Sequence, residues 1–392
     1  MLTNMKIFHI SSINHPAISR LIELQRQDHQ VWFVRLVYDN SEEYRVVKNG
    51  NWIEIKGIRK VFDQEGDERL RDIFDSLLKD YKPDLIHVHV FSGMSLPSIL
   101  NPASSLGIRK ILTLHDHSLF CIKGICHNGV KKCVLNSVLQ CDCRECREHS
   151  LKNNLPLEIY NKLRHERIKS ILVQCEAIIC PSHHQKRTLE NLFGTDSRFR
   201  VVYHGVYLPI RKTRKTKRSE VWFGYIGTLD EAKGITKLLK AKDLLDDLDF
   251  RILICTQNTK NRLIESLRKD ERIVLIEDIP RKELYEKFFS KVDYLIVPSI
   301  WEETGPLTLF EALYSNVPVI ISDMESMKEK VTIGDNALVF RDIDELKSIM
   351  EGIIKGKVKC KGKTFYAKNI ETYRQDIEDI YYYAVRKNIE PC

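Results

Sequence analysis

The chain has 392 residues, more than a single hydrophobic core usually supports, so two domains are expected. Its 43% hydrophobic and 30% charged residues are typical of a soluble globular protein, and no run approaches the roughly 18–20 apolar residues of a membrane span. The net charge of +8 suits an anionic substrate, an anionic membrane surface or nucleic acid without choosing among them. The first residues lack the features of a signal peptide, so we expect a cytoplasmic protein whose membrane association, if any, is peripheral.

Strand-like and helix-like segments alternate along the first half of the chain, which predicts a parallel sheet covered by helices on both faces. The predicted strands are 6–10, 31–37, 83–90, 108–114, 177–180 and 200–203. The predicted helices are 17–27, 67–79, 156–175 and one that begins at Ser182. A cysteine-rich insertion at 117–149 interrupts this alternation.

A basic run at residues 211–218 marks a break in composition, because six of its eight residues are Lys or Arg. We interpret 209–218 as a solvated linker, and the alternative is a polybasic patch that contacts anionic lipids. The sequence thus predicts domains at 1–208 and 219–363, followed by a helical segment at 364–392. The predicted strands of the second domain are 221–226, 250–255, 273–276, 292–297 and 317–321.

A helix start after the strand at 292–297 is a candidate anion site. Gly305 and Pro306 suit a helix start, because glycine is permissive and proline has a φ angle pre-set for the first helical position. The free N–H groups of Leu307 and Thr308, together with the helix dipole, would then favour a bound phosphate.

Two carboxylates, Glu303 and Glu311, flank this helix start with seven residues between them. A diphosphate there could carry a sugar toward Glu303 and a ribose toward Glu311, since carboxylates accept hydrogen bonds from hydroxyls. The alternative is a surface turn with two unrelated acids. With the apolar segment 317–322 that follows, these residues resemble the donor-site motif of the retaining glycosyltransferases of family 4. The resemblance implies the α/β GT-B architecture, in which two Rossmann-like domains with doubly wound parallel sheets face each other across a cleft. It also implies that the terminal helix at 364–392 crosses back to the N-terminal domain.

A glycine-containing loop at 224–235 is the second signal. A strand runs into it and a helix opens near Lys233, so backbone groups and one ammonium can reach a phosphate. It resembles the family's diphosphate-binding loop, which implies that Gly227, Thr228 and Lys233 contact the donor. Family members usually carry Arg where this chain has Thr228, so either donor affinity is weaker or a basic residue from elsewhere compensates. The alternative for Lys233 is an ordinary surface lysine near a helix start.

His115 follows the predicted strand at 108–114, at a sheet edge where site residues collect. The resemblance implies that His115 contacts the transferred sugar near the reacting carbon, where a neutral donor or a cation is useful. The alternatives are a histidine that hydrogen-bonds within the core edge or one that belongs to a metal cluster. His204 stands where the family has Asn, and the first loop, 11–16, lacks the consecutive glycines of many members. Acceptor recognition is therefore the part of the resemblance that transfers least.

Six of the eleven cysteines lie within 26 residues, from Cys121 to Cys146. Because cytoplasmic thiols stay reduced, a metal is favoured over disulfides, and four groups could form a tetrahedral structural zinc site. Free or redox-active thiols are the alternative. We expect no catalytic metal, since Lys233 and the helix terminus can stabilise the diphosphate. The remaining members of the cluster are Cys126, Cys133, Cys141 and Cys143, with His117, His127 and His149 nearby.

The residues and the family resemblance together imply a glycosyltransferase that moves a hexose-type sugar from a UDP- or GDP-linked donor to an acceptor hydroxyl with retained anomeric configuration. The predicted acceptor is a glycan or a lipid-linked saccharide, and the product would be a precursor of a lipid-linked or cell-surface glycan. The alternative is a catalytically silent GT-B protein that serves as a binding or scaffold subunit. No nucleic-acid partner is expected, because no groove-reading motif accompanies the basic run. The predicted catalytic residues are His115 and Glu303, and the predicted donor-binding residues are Gly227, Thr228, Lys233, Gly305, Leu307, Thr308 and Glu311.

Overall fold

The computed structural model describes residues 4–39, 41, 43–62, 64–127, 138–206, 218–257, 261–360 and 369–386. The chain forms two compact units. Unit 1 comprises Met1–Gly205 and Asn369–Cys392, and unit 2 comprises Val206–Lys368. Most of the predicted linker at 209–218, the start of the predicted segment at 364–392 and Cys133 lie outside the described residues.

The sheet of unit 1 has eight strands: β1 (Lys6–Ser11), β2 (Gln30–Leu36), β3 (Arg45–Asn49), β4 (Trp52–Lys56), β5 (Leu85–Val90), β6 (Arg109–Leu114), β7 (Ala177–Cys180) and β8 (Phe199–Val201). Their order is β3-β4-β2-β1-β5-β6-β7-β8. Neighbouring strands are parallel except for the antiparallel pair β3 and β4. The central strand β5 is buried along its whole length, as expected for a parallel strand with both faces covered.

The sheet of unit 2 has six strands: β9 (Val221–Ile226), β10 (Phe250–Thr256), β11 (Ile273–Glu277), β12 (Tyr294–Val297), β13 (Val319–Ser322) and β14 (Ala337–Phe340). They are all parallel, in the order β11-β10-β9-β12-β13-β14. Counted within the unit, this is the 3-2-1-4-5-6 order of Rossmann-type sheets. Both units are therefore Rossmann-like, as predicted.

Helices connect the strands of both units, and none of the described helices is long and apolar enough to cross a membrane. They are α1 (Pro16–Gln25), α2 (Glu68–Tyr81), α3 (Leu96–Ser105), α4 (Arg144–Lys152), α5 (Leu157–Val173), α6 (His183–Phe193), α7 (Ile235–Asp243), α8 (Ile264–Lys269), α9 (Leu307–Tyr314), α10 (Glu325–Lys328), α11 (Ile343–Ile354) and α12 (Ile370–Arg386). Short 3₁₀ turns lie at Val138–Gln140 and Arg281–Glu283, and a π-helical turn at Tyr285–Phe289.

Side-chain caps fix where several helices begin. Asp67 accepts a hydrogen bond from the backbone N–H of Leu70 at 3.0 Å, at the start of α2. Ser182 does the same for Gln185 at 3.1 Å, at the start of α6. Each bond satisfies one of the backbone donors that a helix N-terminus leaves without an intrahelical acceptor.

The C-terminal helix α12 belongs to the core of unit 1. Its inward residues Tyr373, Ile377 and Tyr381 are fully buried among the apolar residues of that unit. The close packing also explains Gly205, where a Cβ atom would come within 2.5 Å of the Tyr373 side chain. The end of the chain thus completes the first unit rather than the second.

The predicted strands match observed strands to within about two residues, and three strands were missed. The hairpin of β3 and β4 turns at Gly50, whose φ of +55° favours glycine, and the Asn49–Gly50 dipeptide is a strong hairpin signal. β3 is exposed at every position, so it has no apolar alternation from which a strand could be predicted. The third missed strand is β14, at the edge of unit 2.

Candidate active site

The strand order of unit 2 reverses between β9 and β12, which pair directly. Phe223 pairs with Tyr294 and Gly224 with Leu295, so both parallel strands end at the same edge of the sheet. Open α/β sheets bind ligands beyond the carboxyl ends of the strands at such a reversal. The two loops with candidate donor-binding residues, after β9 and after β12, both leave the sheet here.

Internal hydrogen bonds shape the loop after β9. The Gly227 N–H donates to the Cys255 carbonyl at 3.1 Å, and the Tyr225 hydroxyl donates to the Thr228 carbonyl at 2.6 Å. The Thr228 hydroxyl hydrogen-bonds the Asp230 carboxylate. Thr228 therefore helps to build the loop, and it brings no positive charge to the position where the resembled family usually has Arg.

Gly234 lets the loops after β9 and β12 approach closely. Its φ is +72°, and a Cβ atom there would lie 1.8 Å from the carbonyl oxygen of Pro298. The Ile300 N–H also donates to the Ala232 carbonyl at 2.9 Å. Glycine is thus required immediately after Lys233, and this close approach sets where the lysine side chain begins.

Lys233 and Glu303, which are 70 residues apart in sequence, form an ion pair at this edge. The Lys233 Nζ lies 2.7 Å from Glu303 Oε1, and the same oxygen accepts from the Ser299 hydroxyl at 2.7 Å and from Trp301 Nε1 at 2.9 Å. The Glu303 residue is only 4% exposed. Three donors on one oxygen hold the carboxylate in place, and the ammonium compensates the burial of its charge. Lys233 also lies over the Trp301 ring, 4.8 Å from its centroid.

The helix start predicted after β12 is present. Pro306 is the N-cap residue, with an extended ψ of 119°, and α9 begins at Leu307, one residue later than predicted. Gly305 is buried, whereas Leu307 and Thr308 are half-buried. The first backbone N–H groups of α9 therefore lie at the edge that carries Glu303, as an anion site requires.

Glu311 pairs with a residue that the sequence analysis did not single out. Its Oε1 lies 2.9 Å from Arg281, in the turn after β11, and Glu311 is almost fully buried while the arginine side chain is about one-third exposed. Burial raises the pKa of the Glu311 carboxyl, and the Arg281 guanidinium opposes that rise. Arg281 follows a predicted strand at the same sheet edge, which is the signal that could have found it.

His115 lies in unit 1, directly after β6. Its ring stacks between Phe91, at a centroid distance of 4.6 Å, and His204, at 5.0 Å, each within 5° of parallel. Burial lowers the pKa of His115 well below its usual value, and neighbouring histidines lower it further. His115 is therefore a neutral imidazole whose ring is held between two stacked rings. Of the two roles expected for it, neutral donor or cation, the cationic role is not favoured.

A row of buried histidines leads away from His115. His89 Nδ1 lies 3.0 Å from His115 Nε2, and His89 Nε2 lies 2.9 Å from His9 Nδ1. His9 Nε2 lies 2.8 Å from Gln25 Oε1, which ends the row. Burial lowers the pKa of His9 to about 4 and that of His89 well below its usual value. This row of histidines was not predicted, although polar residues inside apolar strands such as β1 and β5 are a signal of it in the sequence.

The structure thus brings Lys233 and Glu303 together directly. Glu311 lies on α9, the helix whose N-terminus is the predicted anion site, and it pairs with Arg281 from the turn after β11. His115 belongs to the other unit, where His89 and His204 are its neighbours. The roles of these residues in catalysis and donor binding stay predictions.

Two protein-family models match the chain, and together they span residues 21–363. Glycosyltransferase Family 4 matches residues 21–208, and Glycosyl transferases group 1 matches residues 209–363. The chain belongs to the family 4-type GT-B glycosyltransferases. The donor motif and the glycine-containing loop that carried the resemblance both fall within the second match.

Known relatives of this glycosyltransferase are distant. The O-antigen chain mannosyltransferase RfbU of Salmonella typhimurium is 25% identical over 191 residues, 47% of this chain and 52% of RfbU. The chain thus spans about half the length of this curated relative. Among solved structures, sucrose-phosphate synthase from Thermosynechococcus elongatus has a TM-score of 0.66 at 17% identity and covers 96% of this chain and 98% of its own. Anabaena Alr3699/HepE in complex with UDP has a TM-score of 0.65 at 13% identity, with 97% and 100% covered. These likenesses establish the fold.

Proposed function

We propose that this glycosyltransferase moves a hexose-type sugar from a nucleotide-diphosphate donor to an acceptor hydroxyl with retention of anomeric configuration. The observation that carries the proposal is the buried Glu303 carboxylate, held by Lys233, Ser299 and Trp301 where the strand order of unit 2 reverses. A buried acid with an exchangeable cationic partner, four residues before a helix N-terminus, suits a sugar attached to a diphosphate. The UDP bound to Alr3699/HepE, which shares the fold, supports a nucleotide donor.

Donor binding exchanges ion-pair partners in this proposal. The diphosphate accepts hydrogen bonds from the N–H groups of Leu307 and Thr308, and the one-third-exposed Lys233 turns from Glu303 toward the phosphate oxygens. Glu303, released from the ammonium, accepts hydrogen bonds from hydroxyls of the sugar. The ion pair in the structure is thus the resting state of the two residues that the reaction separates.

The nucleoside end of the donor lies against Glu311 in the same proposal. The ribose hydroxyls hydrogen-bond the Glu311 carboxyl group, whose pKa is raised by burial and lowered in part by the Arg281 guanidinium. Arg281 also supplies the second positive charge that Thr228 does not. In this proposal Arg281, which follows β11 two strands away from β9 in the sheet, compensates the departure from the family pattern at Thr228.

The transfer step needs stabilisation of the leaving diphosphate. The bond between the sugar carbon and the phosphate oxygen breaks, the acceptor oxygen bonds that carbon on the same face, and a phosphate oxygen takes the acceptor proton. Lys233 and the helix-end amides stabilise the charge that develops on the diphosphate, so no metal is required.

The proposed acceptor is a glycan or a lipid-linked saccharide in the synthesis of a lipid-linked or cell-surface glycan. The name of RfbU, which refers to an O-antigen chain, supports this class of acceptor. Peripheral contact of the basic run at 211–218 with an anionic membrane would bring the enzyme to such an acceptor; the run itself lies almost wholly outside the described residues.

Calorimetric titration tests the donor site. A panel of UDP, GDP and their sugar conjugates first identifies the nucleotide, and variants then separate the two carboxylates. Glu311→Gln is expected to weaken the binding of both the free nucleotide and the nucleotide sugar by roughly 10- to 100-fold, because a charged hydrogen bond is lost. Glu303→Gln is expected to weaken only the binding of the nucleotide sugar. The binding of free nucleotide should equal that of the wild type or become tighter, because Lys233 is released from its ion pair.

The matched control is Glu265→Gln, an exposed acid on α8 in the same unit, which should bind every ligand as the wild type does. Equal losses for nucleotide and nucleotide sugar in Glu303→Gln would contradict the assignment of Glu303 to the sugar. Wild-type protein that binds no member of the panel would favour the silent scaffold subunit instead.

A further inference from the structure

Three cysteine sulfurs converge where the insertion enters α4. The Sγ atoms of Cys141, Cys143 and Cys146 all lie within 4.8 Å of one another. Cys141 Sγ lies 3.2 Å from Cys146 Sγ and 3.9 Å from Cys143 Sγ. Tetrahedral zinc, with bonds to sulfur of about 2.3 Å, places its sulfurs roughly 3.8 Å apart. The spacing of these thiols is close to that of three ligands on one metal ion.

The local backbone presents these sulfurs together. Cys143 is the N-cap of α4 and Cys146 lies in its first turn, so both side chains lie at the same helix end. Cys141 is fixed from α5, because the Asn161 side-chain amide donates to the Cys141 carbonyl at 2.8 Å. The convergence thus depends on packing between α4, α5 and the segment before them.

A buried cation faces the cluster. Arg164 on α5 is 2% exposed; one guanidinium nitrogen lies 3.6 Å from Cys146 Sγ and another donates to the Phe120 carbonyl at 2.9 Å. Among the described residues no carboxylate forms an ion pair with Arg164, and a thiolate at Cys146 would balance its charge. Three thiolates and one Zn²⁺ carry a single net negative charge, which one arginine neutralises.

We propose that Cys141, Cys143 and Cys146 bind a structural zinc ion through three thiolates. Cys141 and Cys143 are only partly buried, so a fourth ligand such as water can reach the ion from their side and complete the tetrahedron. The ion ties Cys141, in the segment before α4, to the N-terminus of α4 and so orders this part of the insertion. Cys121 and Cys126 form a separate pair, with the Cys126 N–H donating to Cys121 Sγ at 3.4 Å, and the proposed ligand set does not include them.

Metal analysis of the full chain tests this site. Wild-type protein purified under reducing conditions without chelator is expected to hold about one zinc per chain by mass spectrometry of the metal. Cys143→Ser and Cys146→Ser should lower this at least tenfold, whereas Cys360→Ser, which removes a thiol of unit 2, should not. Cobalt exchanged into the wild type should show thiolate-to-cobalt charge-transfer absorption. In Cys143→Ser this absorption should fall by the same factor as the zinc content.

Circular dichroism establishes that each variant is folded, and the partly buried Cys143 provides a second variant if replacement of the buried Cys146 prevents folding. Three outcomes overturn the proposal: wild-type protein without zinc whose three thiols react freely, full zinc content in folded Cys143→Ser, or a Cys141–Cys146 disulfide that accounts for the short sulfur distance.

Discussion

The hydrogen bonds of His115 decide which of its two nitrogens carries the proton. A neutral imidazole has one N–H, and Gln25 Oε1 can only accept, so His9 Nε2 carries the hydrogen of that 2.8 Å bond. His9 Nδ1 must then accept from His89 Nε2, and His89 Nδ1 must accept from His115 Nε2. His115 is left with a lone pair on Nδ1. A hydroxyl group that hydrogen-bonds this nitrogen therefore donates to it rather than accepts from it.

Nitrogen NMR of histidine side chains checks this tautomer. In the wild type, His115 is expected as the Nε2–H form over the neutral pH range, because the row of acceptors holds it there. His89→Phe removes the acceptor of the His115 proton, and a mixture of both tautomers is expected. His183→Gln, on the exposed face of α6, is the control and should leave the His115 signals unchanged. An Nδ1–H form in the wild type would mean that the row runs in the opposite direction.

Individual residues were predictable from the sequence where they stand next to a strand end. Lys233, Glu303 and His115 all follow strands that the sequence indicates, and the motif resemblance singled them out. Their partners were not predictable in the same way. Arg281 and Glu311, or His89 and His115, are separated by about 30 residues, and only the parallel order of the strands brings them together.

At the scale of elements, α12 shows how a distant helix is anchored on the first sheet. The Tyr381 hydroxyl lies 2.5 Å from His87 Nδ1, and the other nitrogen of that ring lies 2.7 Å from the Thr113 hydroxyl. Tyr381 and His87 are fully buried, so this contact forms where no water replaces it. Amphipathic periodicity predicts that the terminal segment is a helix, but a polar anchor of this kind becomes visible only once the strand register is known.

Tyr381→Phe is expected to loosen α12 without unfolding the protein. Loss of the hydroxyl leaves a buried ring nitrogen of His87 without this partner, which costs about 1–3 kcal/mol. Hydrogen exchange followed by mass spectrometry should then show roughly 10- to 100-fold faster exchange in α12 peptides. Tyr383→Phe, at a half-exposed position of the same helix, is the matched control and should exchange as the wild type does. Equal protection in both variants would show that apolar packing alone holds α12.

For the whole molecule, the distribution of histidines separates the two units chemically. All 13 histidines of the chain lie before residue 206, in unit 1, and none lies in unit 2. Four of them, His9, His87, His89 and His115, are buried with their pKa values lowered, chiefly by desolvation. The two units share a Rossmann-like plan that the sequence predicts, yet their histidine content predicts different responses to acid.

Unit 1 should therefore lose stability first as the pH falls from about 6.5, the usual value for histidine, toward 4, the approximate folded pKa of His9. In that window the unfolded chain binds protons that the folded unit excludes, so the free energy of unfolding falls with falling pH. Each such histidine lowers the free energy of unfolding by at most about 1.4 kcal/mol per pH unit, and four together by at most about 5 kcal/mol per pH unit. Buried Asp116 in unit 1 and Glu311 in unit 2, whose pKa values are raised by burial, act in the opposite direction.

Hydrogen exchange across a pH series, corrected for the intrinsic exchange rate, distinguishes the units within one chain. Peptides from β1 and β5 are expected to lose protection between pH 6 and about 4.5, while peptides from β9 and β10 keep theirs. His9→Gln should reduce the slope of this loss by about a quarter, since one of four titrating groups is gone, and His183→Gln should not change it. Loss of protection in both units at the same pH, or first in β9 and β10, would mean that the buried histidines do not govern acid stability.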